Sequence, residues 1–414
     1  MDSKLLKKIP TLQNADLTNK RCLVRVDFNV PVKDGKIVNP ARILAAKQTI
    51  NFLLRANAKI ILLSHFSRIK SVDDVKFGKK SLEIVAKYLQ KVFPKQNIIF
   101  VKNNTDPKLP KIIKNMSSND ILLLENTRYK DVNLKTGQVV KLESKNSKKL
   151  ARFWAKLGDA YVNDAFATIH REHASNAGIA SLIKEKYIGF LVQNELERIV
   201  KFNAYSDRPI ISIIGGAKIS DKITLLETLM ELSDQVLIGG AMANTFLASL
   251  GINMGKSLVE KEMLTFAKNL YIKYKDKIML PVDFKACNEF KDNPAHLITL
   301  DSIPSDLMAL DIGPKTIKLY LKVIKDAKSI FWNGPLGVNE FENYNESSSA
   351  ISNAIAQATT EGAYSLIGGG DTVAAATKTV SKSAYSFVST GGGATLAVIA
   401  NDELPGLFFS KKQH

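Results

Sequence analysis

The amino-acid sequence predicts an α/β protein in which two doubly wound parallel-sheet domains are joined by a helix across a cleft. The chain has 414 residues, which is more than one hydrophobic core usually supports, so two domains are expected. Apolar runs of strand length alternate with helical patterns, as in βαβ units around a buried parallel sheet. All ten arginines fall between Arg21 and Arg208, whereas 17 of the 23 glycines follow residue 208. The two halves are therefore expected to carry different chemistries.

Each half contains its own series of strand-like apolar runs. In the first half, strands are predicted at 21–30, 58–66, 97–101, 120–128 and 159–166, and helices at 41–58 and 79–93, where apolar residues recur at helical spacing. In the second half, strands are predicted within 209–216, 234–240, 277–284, 328–334, 363–370 and 384–393. Each series predicts one Rossmann-like sheet with helices on both faces.

The segment between the halves has the pattern of an amphipathic helix. Residues 184–205 contain no turn residue after Gly189, and Arg208-Pro209 marks the return to an extended run. A single helix is therefore predicted as a stiff connector, with the two domains facing each other across a cleft.

Composition limits the function without deciding it. The net charge of +18 is compatible with nucleic acid, an anionic membrane surface or a phosphorylated substrate as partner. The basic segments are short and lack interleaved aromatic residues, which favours a solvated face over nucleic-acid binding. No apolar run approaches the length of a membrane span, and the first residues lack an apolar signal core, so a cytoplasmic protein is expected. Cys22 and Cys287 are too far apart in sequence to suggest a zinc site or a disulfide framework.

The predicted strands of the first half end in polar and cationic side chains. In an open parallel sheet, ligands bind beyond the carboxyl ends of the strands. Each of these side chains is, by itself, equally well explained as a turn cap or a surface ion pair. Because the same pattern follows four strands, an anion site at this edge is predicted. The residues are Asp27, Asn29, Ser64, His65, Arg68, Glu125, Asn126, Arg128, Asn163 and Asp164, with His170 to His173 soon after.

The second half ends its strands in glycine-rich loops. These loops lie at 215–218, 239–246, 332–337, 368–372 and 391–395, and four of the five are expected to open a helix. Their convergence on one edge would let backbone approach a flat base and turn helix N-termini toward phosphates. Asp371 is a candidate magnesium ligand, since Mg²⁺ favours one or two carboxylates plus substrate phosphates, although an N-cap role explains it equally well in isolation.

The stretch IIGGAKISDKI at 213–223 leaves two interpretations open on its own. It resembles a phosphate-binding loop, but GxxxxGK[ST] is not met. A strand-to-helix turn with solvated lysines is the simpler explanation of the motif alone.

Taken together, the motifs resemble those of the phosphoglycerate kinase family over essentially the whole chain. They occur in the family's order: RVDFNVP (25–31), SHFSR (64–68), NDAFATIHREHASN (163–176), GGAKISDKI (215–223), WNGPLGVNE (332–340), GGGDT (368–372) and STGGGAT (389–395). The resemblance implies reversible phosphoryl transfer from 1,3-bisphosphoglycerate to MgADP, giving 3-phosphoglycerate and MgATP, in glycolysis. It also makes 213–223 a phosphate loop of a non-Walker type.

The resemblance assigns residues to two binding sites. A triose site would use Asp27, Asn29, Arg42, His65, Arg68, Arg128 and Arg171. A nucleotide site would use Gly216, Lys218, Lys222, Gly240, Ala309, Gly313, Asn333, Glu340, Gly370, Asp371 and Thr372, with Glu340 on the ribose and Asp371 on Mg²⁺. Arg42, Lys218 and Lys222 would act on the transferring group, after domain closure.

The resemblance also implies a domain plan. Residues 1–185 would form the triose domain, 186–205 the connecting helix and 206–403 the nucleotide domain, with the tail 404–414 returning to the first domain. A monomer is expected. The chain departs from the family's common pattern at Ser67 and Ile69, where Gly and Pro are usual, at Ala309, where Gly is usual, at Asn339, and in the segment after Thr395.

Two alternatives remain from the residues themselves. A nicotinamide-dependent dehydrogenase would also use βαβ units with glycine-rich strand ends, but no GxGxxG with an acidic residue about 20 positions on follows a predicted strand. A basic nucleic-acid-binding protein would account for the charge.

Overall fold

A computed structural model describes residues 3–408, which form two compact units. Ser3–Glu197 and residues 402–408 form the first unit, and Arg198–Asn401 form the second. Of the expected returning tail 404–414, residues 404–408 belong to the first unit and residues 409–414 lie outside the described residues.

The first unit is built on a six-stranded parallel sheet. Its strands and a small hairpin are β1 (Arg21–Val26), β2 (Val32–Lys33), β3 (Lys36–Ile37), β4 (Lys59–Leu63), β5 (Asn97–Val101), β6 (Asp120–Leu124), β7 (Ala160–Asp164) and β8 (Glu185–Ile188). The sheet order is β5-β6-β4-β1-β7-β8, with β2 and β3 paired separately. Its helices are α1 (Ser3–Leu6), α2 (Ala41–Ala45), α3 (Lys47–Arg55), α4 (Val72–Lys76), α5 (Glu83–Val92), α6 (Leu109–Asn115) and α7 (Lys148–Ala155). Helix α8 (Phe190–Tyr205) begins in this unit and ends in the second.

The second unit contains another six-stranded parallel sheet and a three-stranded antiparallel sheet. Its strands are β9 (Ile210–Ile214), β10 (Gln235–Ile238), β11 (Ile278–Met279), β12 (Asp283–Cys287), β13 (His296–Thr299), β14 (Met308–Ile312), β15 (Ser329–Asn333), β16 (Tyr364–Ile367) and β17 (Phe387–Val388). The parallel order is β11-β10-β9-β15-β16-β17, and β12 pairs with β13 and β14. Its helices are α9 (Ile223–Leu232), α10 (Gly240–Ser249), α11 (Leu264–Lys273), α12 (Pro314–Lys325), α13 (Glu346–Thr360), α14 (Gly370–Thr379) and α15 (Gly392–Ile399).

Single helical turns mark several connections. They are 3-10 turns at Leu12–Asn14, Thr127–Asp131, Phe166–Thr168, Ser220–Lys222, Lys261–Met263, Glu342–Tyr344, Lys382–Ala384 and Pro405–Leu407, and a π turn at Ala174–Gly178. Three of them, at Thr127, Phe166 and Ser220, directly follow strand-end loops that the sequence assigns to ligands.

The alternation of side chains along β1 shows why the first sheet is covered on both faces. Cys22, Val24 and Val26 pack into the core on one face, and Leu23 packs into the core on the other. Successive residues of a strand point to opposite faces, so a continuous apolar run needs a helical layer on each side. The predicted fold class of two doubly wound parallel sheets is confirmed.

Several local predictions were wrong in detail. The predicted helix at 184–205 begins only at Phe190, because residues 185–188 form the edge strand β8 beside β7. The predicted helix at 41–58 is two helices, divided at Ala46. The apolar run at 277–284 was predicted as one strand, but it contains β11, which joins the parallel sheet, and the start of β12, which joins the antiparallel sheet. The antiparallel sheet was not predicted, because its short strands lack the long apolar runs of the parallel ones.

Candidate functional site

The first unit brings the ends of β1, β4 and β7 together at one sheet edge. The parallel register places Arg25 opposite Leu63 and Asn163, and Val26 opposite Asp164. Asp27 and Ser64 follow immediately, and the Ser64 hydroxyl accepts a hydrogen bond from the Phe28 backbone N–H at 2.9 Å. The polar groups that the sequence placed at separate strand ends are therefore neighbours.

Asp27 holds one of the predicted arginines in place. Its Oδ2 accepts a hydrogen bond from Arg42 at 2.6 Å, and its Oδ1 accepts one from the Asn29 backbone N–H at 3.1 Å. The Asp27 carboxylate is almost fully buried, while Arg42 keeps 37% of its side chain exposed. The ion pair orients Arg42 and leaves part of the guanidinium open to a ligand.

The loop after β4 is fixed by side-chain hydrogen bonds to its backbone. Asn126 accepts from the Phe66 N–H at 3.0 Å and donates to the Phe66 carbonyl at 2.6 Å. Asn29 accepts from the Ser67 N–H at 2.8 Å, and Arg128 donates to the Ser67 carbonyl at 3.0 Å. The next residue, Arg68, is exposed at this edge.

The arginines around this loop form a cationic cluster. Burial and then the charges of Arg171 and Arg25 lower the pKa of Arg128. Loss of solvation and then the charge of Arg68 lower the pKa of Arg171. The charges of neighbouring guanidinium groups therefore reach Arg128 and Arg171, and an anionic ligand placed among them would relieve the repulsion. Of the predicted triose residues, Asp27, Asn29, Arg42, His65, Arg68, Arg128 and Arg171 all lie in this unit.

The histidines of the cluster are neutral at physiological pH. Burial and the charge of Arg25 lower the pKa of His65. Burial and the same charge lower the pKa of His173 to about 3. These rings therefore act as hydrogen-bonding groups, while the arginines supply the positive charge.

A buried network beneath the cluster was not assigned from the sequence. Arg25 is fully buried; its Nε donates to the Ser175 hydroxyl at 2.8 Å, and its Nη2 lies 3.1 Å from Nδ1 of His65. Glu143 is also fully buried and accepts hydrogen bonds from the Ser175 hydroxyl and backbone N–H. Arg25 lies within the RVDFNVP motif, but only the fold reveals that it contacts His65. Glu143 carries no signal in the sequence, since it lies in an ordinary polar segment.

The second unit contains a mostly apolar cavity of about 450 Å³. Gly216, Gly240, Ala309 and Glu340 of the predicted nucleotide residues line it. Apolar residues line the rest, including Leu258, Phe284, Phe290, Leu310, Leu336 and Val338. The volume and lining are those of a small-molecule site that could hold a flat base.

Two glycine segments meet at the floor of this cavity. A Cβ on Gly240, whose φ is +64°, would lie 2.6 Å from the backbone N of Gly216. The Gly216 carbonyl accepts a hydrogen bond from the Met242 N–H at 3.0 Å. The first turn of α10 can therefore pack against the loop after β9 only because Gly240 lacks a side chain.

Gly313 has a different position. It is absent from the cavity lining, and it precedes α12 as the N-cap residue. A Cβ there would lie 2.3 Å from the Asp283 carboxyl carbon. This close packing explains why residue 313 is a glycine.

Lys222 lies beside the loops that follow β9 and β15. Its ammonium donates to the Gly215 carbonyl at 2.8 Å, and a Cβ on Gly216 or Gly334 would lie within 3.4 Å of it. Burial lowers the pKa of Lys222 to about 8, although Asp221 and Asp371 partly oppose this effect. Lys218 is exposed on the same loop. A nucleotide with its base in the cavity would therefore have its phosphates near Lys222, because Gly216 adjoins both the cavity and the Lys222 ammonium.

The N-terminus of α14 adjoins the same loops. The Thr372 hydroxyl accepts a hydrogen bond from the Gly334 N–H at 2.7 Å. Asn333 donates to the Gly368 carbonyl at 2.6 Å, and its own Oδ1 has no hydrogen-bond partner in the described part of the chain. The first residue of the helix, Gly370, has open space around it. Helix N-termini of this kind favour phosphate.

Comparisons with known proteins place the chain in a family. The family model described as "Phosphoglycerate kinase" matches residues 12–402. The chain belongs to the phosphoglycerate kinase family. The curated phosphoglycerate kinase of Mycoplasma pneumoniae is 47% identical over 402 residues, covering 96% of this chain and 97% of that protein. That of Listeria innocua is 45% identical over 404 residues, covering 97% and 98%.

Solved structures of phosphoglycerate kinases have the same fold. The phosphoglycerate kinase of Coxiella burnetii superimposes with a TM-score of 0.81 at 36% identity, covering 96% of this chain and 98% of that one. The phosphoglycerate kinase of Pyrococcus horikoshii gives a TM-score of 0.80 at 28% identity, covering 96% and 98%. Phosphoglycerate kinase function, predicted from the motifs, is confirmed by the family match and the relatives, and neither the dehydrogenase nor the nucleic-acid alternative gains support.

The Asp371 carboxylate has the chemistry of a metal ligand. It is exposed in the first turn of α14, and the N-cap residue of that helix is Gly369, so capping does not explain the carboxylate. The described residues contain no group of three or more His, Cys, Asp or Glu side chains that could enclose a metal. A single carboxylate would suit Mg²⁺ only where a nucleotide supplied most of the other ligands.

None of the helices within residues 3–408 combines the length and apolar character that crossing a bilayer requires.

Proposed function

We propose that the first unit binds 3-phosphoglycerate or 1,3-bisphosphoglycerate and that the second unit binds MgADP or MgATP. One observation carries this assignment: the cationic cluster of Arg68, Arg128 and Arg171 lies in the unit without the cavity, while the glycine-floored cavity and Lys222 share the other. The cluster suits a small, highly charged acid, and the cavity suits a nucleoside with phosphates at one end.

The acid site would bind the substrate by charge and hydrogen bonding alone. Arg68, Arg128 and Arg171 would contact its phosphate, and Arg42, oriented by Asp27, would contact the carboxyl group that accepts the phosphoryl group. Such a carboxylic acid has a pKa of about 3.5–4, so it is ionised at neutral pH and needs no general base. The neutral His65 and Asn29 can hydrogen-bond the remaining oxygens of the substrate.

The nucleotide site would divide its ligand between the cavity and the helix N-termini. The base would occupy the cavity beside Gly216, Gly240 and Ala309, with the exposed Glu340 at the ribose. Lys218, Lys222, Thr372 and the backbone N–H groups from Gly370 onward would contact the phosphates, near Asn333. Asp371 would hold Mg²⁺, which neutralises negative charge on the nucleotide phosphates when bound.

Transfer would proceed in line between the acid oxygen and the nucleotide phosphate. The two ligands are assigned to different units, so transfer requires a closed arrangement in which the reacting oxygens meet and water is excluded, because water would otherwise hydrolyse the acyl phosphate. Arg42, Lys218 and Lys222 would then neutralise charge that spreads over the oxygens of the moving group. Loss of one such cation is expected to raise the barrier by about 3 kcal/mol.

We also propose that the protein acts in the cytoplasm as a monomer. A glycolytic enzyme acts in the cytoplasm, and a single chain carries every residue assigned above, so a monomer would suffice for catalysis.

A coupled assay tests the proposal directly. With 1,3-bisphosphoglycerate, ADP and Mg²⁺, the purified chain should form ATP, and omission of Mg²⁺ or of either substrate should abolish the signal. Absence of turnover with all components present would refute it. A change in nicotinamide absorbance without the coupling enzyme would indicate the dehydrogenase, and DNA binding with a steep salt dependence but no turnover would indicate a nucleic-acid-binding protein.

A further inference from the structure

The buried glutamate of the first unit is part of a charged network beneath the arginine cluster. Glu143 is fully buried, and its two carboxylate oxygens accept hydrogen bonds from Ser175, one from the hydroxyl and one from the backbone N–H at 3.0 Å. Burial raises the pKa of Glu143, and the charge of Arg25 is the strongest influence that opposes this rise. A buried charge is costly unless an opposite charge balances it, so Glu143 and the fully buried Arg25 stabilise each other.

The hydrogen bonds between Glu143 and Arg25 run in one direction. The Ser175 hydroxyl has a single proton, and it donates this proton to Glu143. Its oxygen then accepts from the Nε of Arg25, which lies 2.8 Å away and can only donate. The carboxylate therefore makes Ser175 an acceptor toward Arg25 and fixes the orientation of the guanidinium.

The oriented guanidinium determines which ring nitrogen of His65 carries the proton. The Nη2 of Arg25 lies 3.1 Å from the Nδ1 of His65. Because a guanidinium can only donate, Nδ1 must accept, and the proton of the neutral ring is on Nε2. The carboxylate of Asp27 favours the opposite tautomer, since its Oδ1 lies 3.9 Å from the same Nδ1. Displacement of Arg25 would therefore let the proton move to Nδ1.

The Nε2 atom of His65 is open to a ligand. Within residues 3–408, the ring of His65 hydrogen-bonds through Nδ1 and not through Nε2. The Nδ1 atoms of His170 and His173 are fully buried without a partner, but Nε2 of His65 is not such an atom. It therefore retains accessible surface, in a residue that is 4% exposed. An N–H group at this position can donate to an anionic oxygen, whereas a lone pair would repel it.

We propose that Glu143 is a positioning residue that keeps the proton of His65 on Nε2. It acts through Ser175 and Arg25, and the Nε2–H group then donates to an oxygen of the bound acid. This inference rests on the proposed binding of phosphoglycerate by the first unit and names a residue that prepares the site without contacting the substrate. Partners behind a ligand-binding histidine commonly fix its tautomer in this way.

Nitrogen-15 NMR tests the tautomer directly, because protonated and unprotonated ring nitrogens differ widely in chemical shift. The chain contains five histidines, and the signals of His65 are identified by their loss in His65→Gln. The unaltered protein should carry the proton on Nε2. In Glu143→Gln, the amide has one oxygen and cannot accept from both the hydroxyl and the backbone N–H of Ser175. Part of the His65 population should then carry its proton on Nδ1.

A second variant keeps the test independent of the folding of the first. Ser175→Ala removes the connecting hydroxyl and should give the same change of tautomer at His65. Calorimetry should show that both variants bind 3-phosphoglycerate about tenfold more weakly than the unaltered protein. Both should bind MgADP within about twofold of the unaltered protein, because the nucleotide is assigned to the other unit.

Glu260 of the second unit provides a matched control. It is buried, and it likewise accepts hydrogen bonds from the hydroxyl and the backbone N–H of one serine, Ser220. Glu260→Gln therefore removes the same kind of acceptor from the other unit. It should keep the His65 proton on Nε2 and leave the affinity for 3-phosphoglycerate unchanged.

The outcomes separate the inference from the proposed function. A proton on Nδ1 in the unaltered protein would overturn the inference. An unchanged tautomer or an unchanged affinity for 3-phosphoglycerate in both network variants would also overturn it, as would equal weakening of 3-phosphoglycerate and MgADP. If the unaltered protein failed to bind 3-phosphoglycerate at all, the proposed acid site would be refuted, and the substrate role of the network with it.

Discussion

The side-chain oxygen of Asn29 accepts a hydrogen bond from the backbone N–H of Ser67 at 2.8 Å. Ser67 has a φ of +57°, which is the left-handed region that favours glycine. The loop therefore keeps the backbone conformation that suits glycine, although serine stands where phosphoglycerate kinases commonly have glycine. The Ser67 N–H donates to Asn29 and the Ser67 carbonyl accepts from Arg128, and these two hydrogen bonds hold the serine in a conformation that costs energy.

Ser67→Gly should therefore stabilise the first unit. Relief of left-handed strain favours glycine by about 1–2 kcal/mol, and the greater chain entropy of glycine offsets about 0.5–1 kcal/mol of this. A rise of about 1–2 °C in melting temperature is expected by calorimetry. Ser71→Gly is the matched control, because Ser71 has an ordinary φ of −150° and should gain nothing. Equal effects of the two changes would contradict the interpretation of Ser67.

Arg42→Ala should nearly abolish turnover while MgADP affinity is retained. The change removes the guanidinium that Asp27 orients at 2.6 Å, and the loss of one such cation costs about 3 kcal/mol, or more than a hundredfold in rate. Steady-state kinetics and nucleotide titration measure the two quantities. Arg55→Ala, an exposed arginine at the end of α3, should change neither. A large loss of MgADP affinity in Arg42→Ala would count against its assignment to the acid site.

The rate should decline as pH rises through the pKa of Lys222. Burial lowers that pKa to about 8, and the ammonium must be protonated to neutralise phosphate. The protonated fraction falls as pH rises, so kcat/KM for MgATP, which reports the free enzyme, should fall above about pH 8. Lys222→Arg keeps its charge throughout this range and should have a lower but flat profile. The same alkaline decline in the arginine variant would assign the titration to another group.

Asp371→Asn should weaken nucleotide binding only when the metal is present. The amide keeps the size of the side chain but loses the charge that favours Mg²⁺. Calorimetry should show about tenfold weaker MgADP binding, unchanged binding of metal-free ADP and unchanged binding of 3-phosphoglycerate. Asp276→Asn, a change at an exposed carboxylate before β11, provides the control. Equal weakening of ADP with and without Mg²⁺ would exclude Asp371 as the metal ligand.

Gly240→Ala should damage the nucleotide cavity. The new Cβ would lie 2.6 Å from the backbone N of Gly216, so one of the two segments must move. A displacement of this kind is expected to weaken MgADP binding by about tenfold or more. A loss of MgADP affinity together with a lower melting temperature is expected. Gly251→Ala introduces alanine at a φ of +91° with no atom within 4 Å. It should lower the melting temperature while MgADP affinity is retained, and an equal affinity loss in both would show that strain alone is responsible.

Much of the parallel framework could be predicted from the sequence. The strand prediction at 97–101 matches β5, and the runs at 120–128 and 159–166 contain β6 and β7. Strands β6 and β7 are almost entirely buried, so their runs are largely apolar. Strand β5 lies at the sheet edge and is mostly only partly buried, but four of its five side chains are apolar. The edge strand β8 was taken for the start of a helix, because its four residues include charged and partly exposed side chains.

The candidate sites were predictable to the extent that strand ends mark them. The sequence by itself determined which polar and glycine-rich segments follow the strands, since parallel strands must deliver their carboxyl ends to one edge. Only the tertiary structure decided that Ser67 occupies a glycine conformation and that Gly313 packs against Asp283 outside the cavity. These properties depend on which backbone and side-chain atoms approach one another from distant parts of the chain, and local sequence pattern carries no record of such distances.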